Sequence, residues 1–240
     1  MSVSPPPSAA SADTHNVPTS NAPVTATGAS GQTVYYDSPI DRLFIWLFSR
    51  KMAKAVGTTS PLKGYDGLVD LSKQIMQGRN AQQQRALVRV VLGSLIPAQG
   101  LWLVRQLFSP TALVCELNAW FATKLFSWLV GPSEVREVEI VDANGRVKRQ
   151  KSGVYIQKCR YLEQSRCAGM CIHMCKLPTQ DFFTQEFGIP LTMTPNFEDY
   201  SCEMVFGQMP LPLEQEAVYN QPCLSAQSAL AAAPCPKIRG

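Results

Sequence analysis

From Ser38 onward the apolar positions recur three and four residues apart. Ile40, Leu43, Phe44, Leu47, Phe48, Met52 and Ala55 fall on one stripe, the repeat of an amphipathic helix. Ser38 supplies an N-cap, Pro39 a first helical residue and Asp41 an acid three positions after the cap, while Gly57 supplies the stop. Ile45 and Trp46 widen the apolar arc, and Arg50, Lys51 and Lys54 crowd its end. Such a helix suits a core, and it also suits a membrane surface, so residues 39–56 are read as a candidate peripheral membrane contact. Further helices are predicted from Tyr65 or Asp66 to Gln77, from Ala81 to Leu95, over Leu101 to Phe108, and from Ser109-Pro110 to Val130, where Gly131-Pro132 breaks the pattern. Glu116 and Lys124 interrupt the last of these, so no stretch reaches the roughly 18 uninterrupted apolar residues of a membrane span. Trp46, Trp102, Trp120 and Trp128 all fall in this half, as core packing or as the lining of a long apolar tunnel.

At Ser133 the period shifts towards two. Val135, Val138, Ile140 and Val141 predict a strand, Asp142 to Gly145 a turn of the Asn-Gly kind, and Val147 to Ile156 the returning strand. Beyond a cysteine-rich stretch, Thr179 to Phe187 reads as a helix closed by Gly188 and Pro190, and Leu191 to Thr194 as a strand. Cys202, Met204 and Phe206 alternate to one face of another strand. The expected fold is α+β in one domain, a mainly helical N-terminal half packed on a smaller cysteine-rich α+β half. Its parts are a disordered leader over 1–34, a helical part over 35–132, a cysteine-rich part over 133–210 and an irregular tail over 211–240.

Composition supports a globular core with irregular ends: 240 residues, 45% hydrophobic, 17% charged, with 18 prolines. The leader is rich in Ser, Ala, Thr and Pro and shows no apolar period. Residues 1–41 carry Asp13, Asp37 and Asp41 and no Lys or Arg, so the net charge of +4 leaves +7 on the remainder. A mildly basic face favours an anionic membrane surface. No Lys/Arg cluster is dense enough for nucleic acid, and no Ser-His-Asp set, phosphate loop or H-E-x-x-H motif supports a hydrolase or nucleotide-binding reading.

Five of the eight cysteines lie between Cys159 and Cys202. Cys159, Cys167, Cys171 and Cys175 follow C-x7-C-x3-C-x3-C, and Cys202 follows a loop and strand able to fold back on them. In a straight helix Cys167 and Cys175 would stand about 12 Å apart, too far to share one ion with metal–sulfur bonds of about 2.3 Å. Ala168-Gly169 is therefore read as a bend. A helix starting near Gly169 and stopping before Pro178 leaves Cys167 at its N-terminus, where backbone N–H groups favour thiolate, and makes Cys171 and Cys175 an i,i+4 pair. On this reading Cys171, Cys175 and one or two of Cys159, Cys167 and Cys202 hold an iron centre, either a single ion or an iron–sulfur cluster. Buried small hydrophobes, disulfides and a structural zinc site are the other readings. Neither the C-x2-C knuckle of zinc ribbons nor the ferredoxin run is present. Cys223 and Cys235 are further ligand candidates in the tail, Cys115 is a core residue, and His173 is read as a surface residue or one behind the ligands.

The same stretch makes the chain resemble a known family. C-R-Y-L-E-Q-S-R-C-A-G-M-C-I-H-M-C-K-L-P-T-Q (Cys159 to Gln180), P-N-F-E-D-Y-S-C-E-M-V-F-G-Q (Pro195 to Gln208), W-L-V-G-P (Trp128 to Pro132) and Y-D-S-P-I-D (Tyr36 to Asp41) resemble the plant-type β-carotene isomerases of strigolactone biosynthesis. The resemblance implies an iron-dependent enzyme converting all-trans-β-carotene to its 9-cis isomer, with an apolar carotenoid as its partner. It implies a plastid location for a plant or algal chain, and cytoplasm or thylakoid association for a cyanobacterial one. The leader's composition suits a transit peptide, although transit peptides normally carry Arg and none precedes Arg42. Turning a conjugated double bond requires a transient loss of π order, by one-electron exchange with iron or by protonation. Glu198 and Asp199, beside Cys202, are candidate acids for the second route if burial raises a carboxyl pKa. The rival reading is a non-catalytic iron–sulfur or zinc protein, an electron carrier or a carotenoid-binding module.

Overall fold

The computed structural model describes residues 33–95, 111–141, 145–222, 224 and 238, and the backbone of 24–27. The helix expected over Leu101 to Phe108, with Trp102, and the tail cysteines Cys223 and Cys235 lie outside these residues. The fold is α+β, as the patterning predicts. The helical and cysteine-rich parts share one core rather than two.

Structure begins earlier than expected. Val24–Thr27 (β1) pairs antiparallel with Thr33–Tyr36 (β2), inside the segment read as a disordered leader. What holds β2 is remote in sequence. Glu163 accepts from the Thr33 amide and hydroxyl and from the Tyr35 hydroxyl, each at 3.0 Å, and Lys158 pairs with the same carboxylate at 2.7 Å.

Helix α1 spans Pro39–Val56, with the expected capping box. The Ser38 hydroxyl accepts from the Asp41 amide at 3.1 Å, Asp41 accepts from the Ser38 amide at 2.8 Å, and Gly57 closes the helix at φ 79°. The buried side differs from the predicted stripe. Ile45 and Met52 point inward with Phe44 and Phe48 beside them, while Ile40 and Leu43 face out at 63% and 58% exposure. An apolar arc this wide leaves the choice of docking flank to the neighbouring elements. Gly64–Met76 (α2) and Ala81–Gly93 (α3) match the expected helices within one or two residues, and α3 starts in a second capping box at Asn80.

The long helix expected from Ser109 to Val130 is two helices. Thr111 caps Ala112–Leu125 (α4), and a break at Phe126 precedes the single turn Ser127–Val130 (α5). α4 buries its small side, Val114, Cys115, Ala119 and Ala122, which allows close approach to the sheet. Its larger apolar residues, Leu113, Leu117, Trp120, Phe121 and Leu125, are exposed.

Ser133–Val141 (β3), Val147–Ile156 (β4), Leu191–Pro195 (β5) and Cys202–Phe206 (β6) form one antiparallel sheet in the order β3-β4-β6-β5. The β3–β4 register shifts between Arg136 and Val138, and Gly153 sits opposite, where a Cβ would come within 2.5 Å of Val138 Cγ1. Cys202, Met204 and Phe206 are buried on one face, as the alternation predicts. Arg160–Ser165 (α6) follows β4. A continuous helix (α7) then runs over 168–187, alternating α-turns at Ala168–Met170 and Leu177–Asp181 with π-turns at Cys171–Lys176 and Phe182–Phe187. The expectation that it would stop before Pro178 is wrong. Pro178 lies in the first turn of an α-segment directly after a π-turn, where the altered bonding register absorbs the missing N–H.

Residues beyond 210 are less irregular than expected. They form 3₁₀ turns at Leu213–Gln215 and Ala217–Asn220, and Val218 and Ile238 are buried.

The helical and cysteine-rich parts are clamped at Arg160, which is 3% exposed. Its guanidinium pairs with both oxygens of Asp37, donates to the Trp128 carbonyl at 3.3 Å, and lies 3.7 Å and 4.7 Å from the ring centroids of Tyr65 and Tyr35. Replacing Arg160 with Ala leaves Asp37 without its partner and opens a void, and should lower unfolding free energy by about 3 kcal/mol in urea titrations. Glu163 adds a pH signature. Burial pushes its pKa up, but the Lys158 ammonium and the donors on Thr33 and Tyr35 outweigh that and hold it below the usual carboxylate range. A depressed folded pKa gives stability that is complete near neutral pH and is lost as pH falls below about 4. Protection of the Thr33 amide, taken relative to its intrinsic exchange rate, should therefore fall at that point, and should be low at every pH in Glu163→Ala.

Candidate functional site

Between the helices and the sheet lies a cavity of about 450 Å³. Helices α1 to α5 supply one wall, β4 to β6 the other, and α7 one end. No charged side chain lines it among the described residues. Its polar atoms come from a few groups such as Ser72, Asn118, Tyr161 and Cys175. Two aromatic clusters face into it. Phe44 stacks on Trp128 at 6.2 Å and 14°, with Phe48 tilted against the same indole at 5.7 Å. On α7, Phe183 stacks on Phe187 at 5.2 Å and meets Phe206 of β6 edge-on at 5.3 Å. An apolar enclosure of this size with a few convergent polar groups has the character of a small-molecule site, and its lining selects hydrocarbon.

The cysteines sit where that wall meets α7. Cys159 caps α6, and its amide donates to the Tyr200 carbonyl at 2.7 Å. That bond draws the link before α6 against the residues that lead into Cys202 at the start of β6. Cys167 stands half-buried at the N-cap position of α7, and its carbonyl accepts from the Cys171 amide at 3.1 Å; the chain turns at Arg166, φ 46°, and Cys167, whereas Ala168-Gly169, read as the bend, are already helical. Cys171 and Cys175 follow in the first π-turn, and Cys175 lines the cavity. All of these are free thiols.

Cys159, Cys171, Cys175 and Cys202 form one electrostatic neighbourhood. Burial pushes the Cys159 thiol up to about 11, against the pull of the Leu162 and Tyr161 amides. Burial, then Cys159, pushes Cys175 to about 12. Cys171 and Cys202 lie well above the usual thiol range, first through burial and then through the other cysteines, with Lys176 opposing. Cys171, Cys175 and Cys202 thus come together with Cys159 as the folding-back argument expects. Their spacing is another matter, since among the described residues no group of three or more His, Cys, Asp or Glu is arranged to hold a metal ion.

One buried group beside the thiols escaped the sequence reading, and a second was read with two alternatives of which burial excludes one. Lys176 is 1% exposed, yet its ammonium is fully met by Gln180 Oε1 at 2.7 Å, the Met193 carbonyl at 2.6 Å and Glu216 Oε2 at 2.6 Å. The i,i+4 spacing of Lys176 and Gln180 was the available signal. The other two partners come from β5 and the tail. His173 is fully buried rather than a surface residue, and its Nε2 donates to the Ile238 carbonyl at 3.1 Å.

The candidate acids are not placed for acid chemistry. Glu198 and Asp199 are exposed, and neither lines the cavity. The Ser201 amide donates to Asp199 Oδ1 at 2.8 Å, and with the Ser201 side chain it holds the carboxyl below its usual range. Asp199 therefore organises the turn before β6, with no proton to give near neutral pH.

The family described as Beta-carotene isomerase D27-like, C-terminal, matches residues 128–215, the segment that contains most of α5, the four-stranded sheet and the five clustered thiols. A protein of Medicago truncatula named Beta-carotene isomerase D27, chloroplastic, is 42% identical over 190 residues, 79% of this chain and 73% of the relative. A protein of Arabidopsis thaliana with the same name is 42% identical over 189 residues, 78% and 70% of the two chains. No solved structure matches the chain.

The burial of the thiols has a direct chemical readout. In metal-free protein near neutral pH, iodoacetamide should modify Cys167 first and the thiols of Cys159 and Cys175 at least about a hundredfold more slowly than a free cysteine, because thiolate is the reactive form. Their rates should climb as pH approaches 11, as followed by peptide mass spectrometry. Equal rates for all five would contradict the arrangement.

Proposed function

Since the chain belongs to the β-carotene isomerase D27 family, we propose that it is a carotenoid cis/trans isomerase converting all-trans-β-carotene to the 9-cis isomer, in the plastid and on the route to strigolactones. The observation that carries this reading is the apolar cavity with a thiol in its wall. A hydrocarbon polyene offers no group for hydrogen bonding, so its site must be built from shape, dispersion and exclusion of water. The Phe44–Phe48–Trp128 and Phe183–Phe187–Phe206 clusters provide flat faces for a conjugated chain, and the absence of charge among the described lining residues keeps water out.

We further propose that iron is the cofactor and that the cysteine cluster is its seat. The donors fit in kind: soft, desolvated thiols from α6, α7 and β6, with Cys175 open to the cavity and the Lys176 ammonium beside them to offset thiolate charge. They do not fit in spacing as they stand, so ligation requires the thiols to draw together. Cys159, Cys171, Cys175 and Cys202 are the proposed ligands, with Cys167 at the mouth of α7 as the fifth candidate. Iron held by these thiols would supply one-electron exchange, which can lower the order of a conjugated double bond without a proton. The chain's own contribution is to hold the polyene flat between aromatic faces and to keep the site dry. Tyr161 and Cys175, the acidic protons in the cavity wall, are both held protonated by burial, and Glu198 and Asp199 face solvent, so the residues do not favour the protonation route.

The test combines metal analysis of anaerobically purified protein with chromatographic assay of β-carotene isomers. Iron in stoichiometric amount and a changed isomer ratio are expected, and both should be lost in Cys171→Ser/Cys175→Ser. Isomerisation by metal-free protein would remove the iron part alone. Carotenoid binding without isomerisation would leave a binding module. Ala122→Phe, which fills the cavity from α4, should cut turnover by about tenfold or more while iron content stays unchanged.

A further inference from the structure

We propose that the exposed apolar face formed by α1 and α4 docks on the surface of an anionic lipid bilayer, and that the cavity opens through this face into the hydrocarbon. The inference deepens the proposed function, on which its account of substrate entry rests. Leu47, Phe121 and Leu125 are 37%, 56% and 44% exposed, yet all three line the cavity. The cavity wall thus includes exposed side chains on both α1 and α4, and these are themselves hydrocarbon. A pocket filled from water is normally framed by polar groups.

The surface continues outward from these residues. Leu43 and Trp46 on α1 are 58% and 55% exposed, and Trp120 on α4 is 51% exposed. The Trp120 ring meets that of Phe121 edge-on at 5.0 Å, and Leu43 and Trp46 flank Leu47 along α1, so these side chains adjoin residues of the cavity wall, whereas scattered surface hydrophobes need no explanation. Two tryptophans among aliphatic residues, with cations behind them, make the pattern of a helix lying at a membrane interface. The Arg50 guanidinium lies 5.4 Å from the centre of the Trp46 ring, so its charge can reach headgroups while the indole enters the lipid.

Charge selects the occupant. Arg42, Arg50 and Lys54 are exposed on α1, and its one acid, Asp41, is buried in the capping box. α4 carries Lys124 in its last turn, and its one acid, Glu116, is turned to the sheet, where it accepts from the Lys151 amide at 2.9 Å. A second copy of this chain placed on the same face would set cations against cations. Anionic headgroups would meet them with opposite charge. No helix among the described residues is long and apolar enough to cross a membrane, so the contact is peripheral.

The test is co-sedimentation of the full chain with phosphatidylcholine vesicles, with and without phosphatidylglycerol, in the absence of carotenoid. Binding should require the anionic lipid and weaken with salt. Leu43→Glu/Trp120→Glu alters two exposed residues that do not line the cavity and should reduce binding by about tenfold or more. The same variant should keep its isomerase activity on detergent-dispersed β-carotene, which reports folding and catalysis separately from docking. Arg50→Glu/Lys54→Glu should lose the preference for anionic vesicles. The proposal is overturned if the wild-type chain stays in the supernatant, if the Leu43/Trp120 variant binds as well as wild type, or if that variant instead dissolves a dimer. Absence of isomerase activity in detergent with intact vesicle binding would count against the function and leave the docking standing.

Discussion

Arg160 carries a charge that water scarcely reaches, and four parts of the chain meet to neutralise it. Asp37 supplies both carboxylate oxygens, the α5 turn supplies the Trp128 carbonyl, and Tyr35 and Tyr65 cover the guanidinium with their rings. Only a planar fork of donors can satisfy so many partners at once, and a buried cation left without them would be far too costly. The clamp fixes β2, α1, α2 and α5 against the start of α6, one residue after Cys159. The helical wall of the cavity and the thiols at its edge thus share one anchor.

The motifs that make the chain recognisable acquire physical roles around this anchor. In Tyr36 to Asp41 the Asp37 carboxylate meets Arg160 and Ser38 and Asp41 cap α1. In Trp128 to Pro132, Trp128 forms part of the cavity's aromatic wall, and Gly131 turns at φ 89° where a Cβ would press on Tyr35 and the Lys158 carbonyl at 3.2 Å and 3.3 Å. The Cys159 to Gln180 stretch provides four of the five thiols and the buried Lys176–Gln180 contact. The π-turn at Cys171–Lys176 belongs to the same logic. A widened helical turn is tolerated where it serves a site, and this one carries Cys171, Cys175, His173 and Lys176 together.

Apolar surface is used in two ways on the same helices. α1 and α4 are apolar around much of their circumference, and each buries one flank while showing another to the outside. Burying everything would have required a further layer of structure. Leaving Trp46 and Trp120 exposed costs solvation in water and becomes favourable only against a partner as apolar as they are. The apolar cavity draws part of its wall from both of these helices.

The sequence by itself determined the local elements and their ends: the Ser38 box, the Gly57 stop, the α2 and α3 spans, the β3–β4 hairpin and the inward alternation of Cys202, Met204 and Phe206. Each follows from spacing and from short-range bonds between residues within a few positions of one another. It also brought the cysteines together as candidates, because dense thiols rarely serve packing alone. Tertiary structure decided which flank of α1 and α4 is buried, since a wide apolar arc has no preferred side until a partner arrives. It decided that Glu163 orders β2 and that Glu216 and Met193 satisfy Lys176, because those partners lie from 17 to 130 residues away, and it left Asp199 facing water, because burial depends on how the chain folds back. Burial and long-range pairing are properties of the packed whole, and no window of sequence contains them.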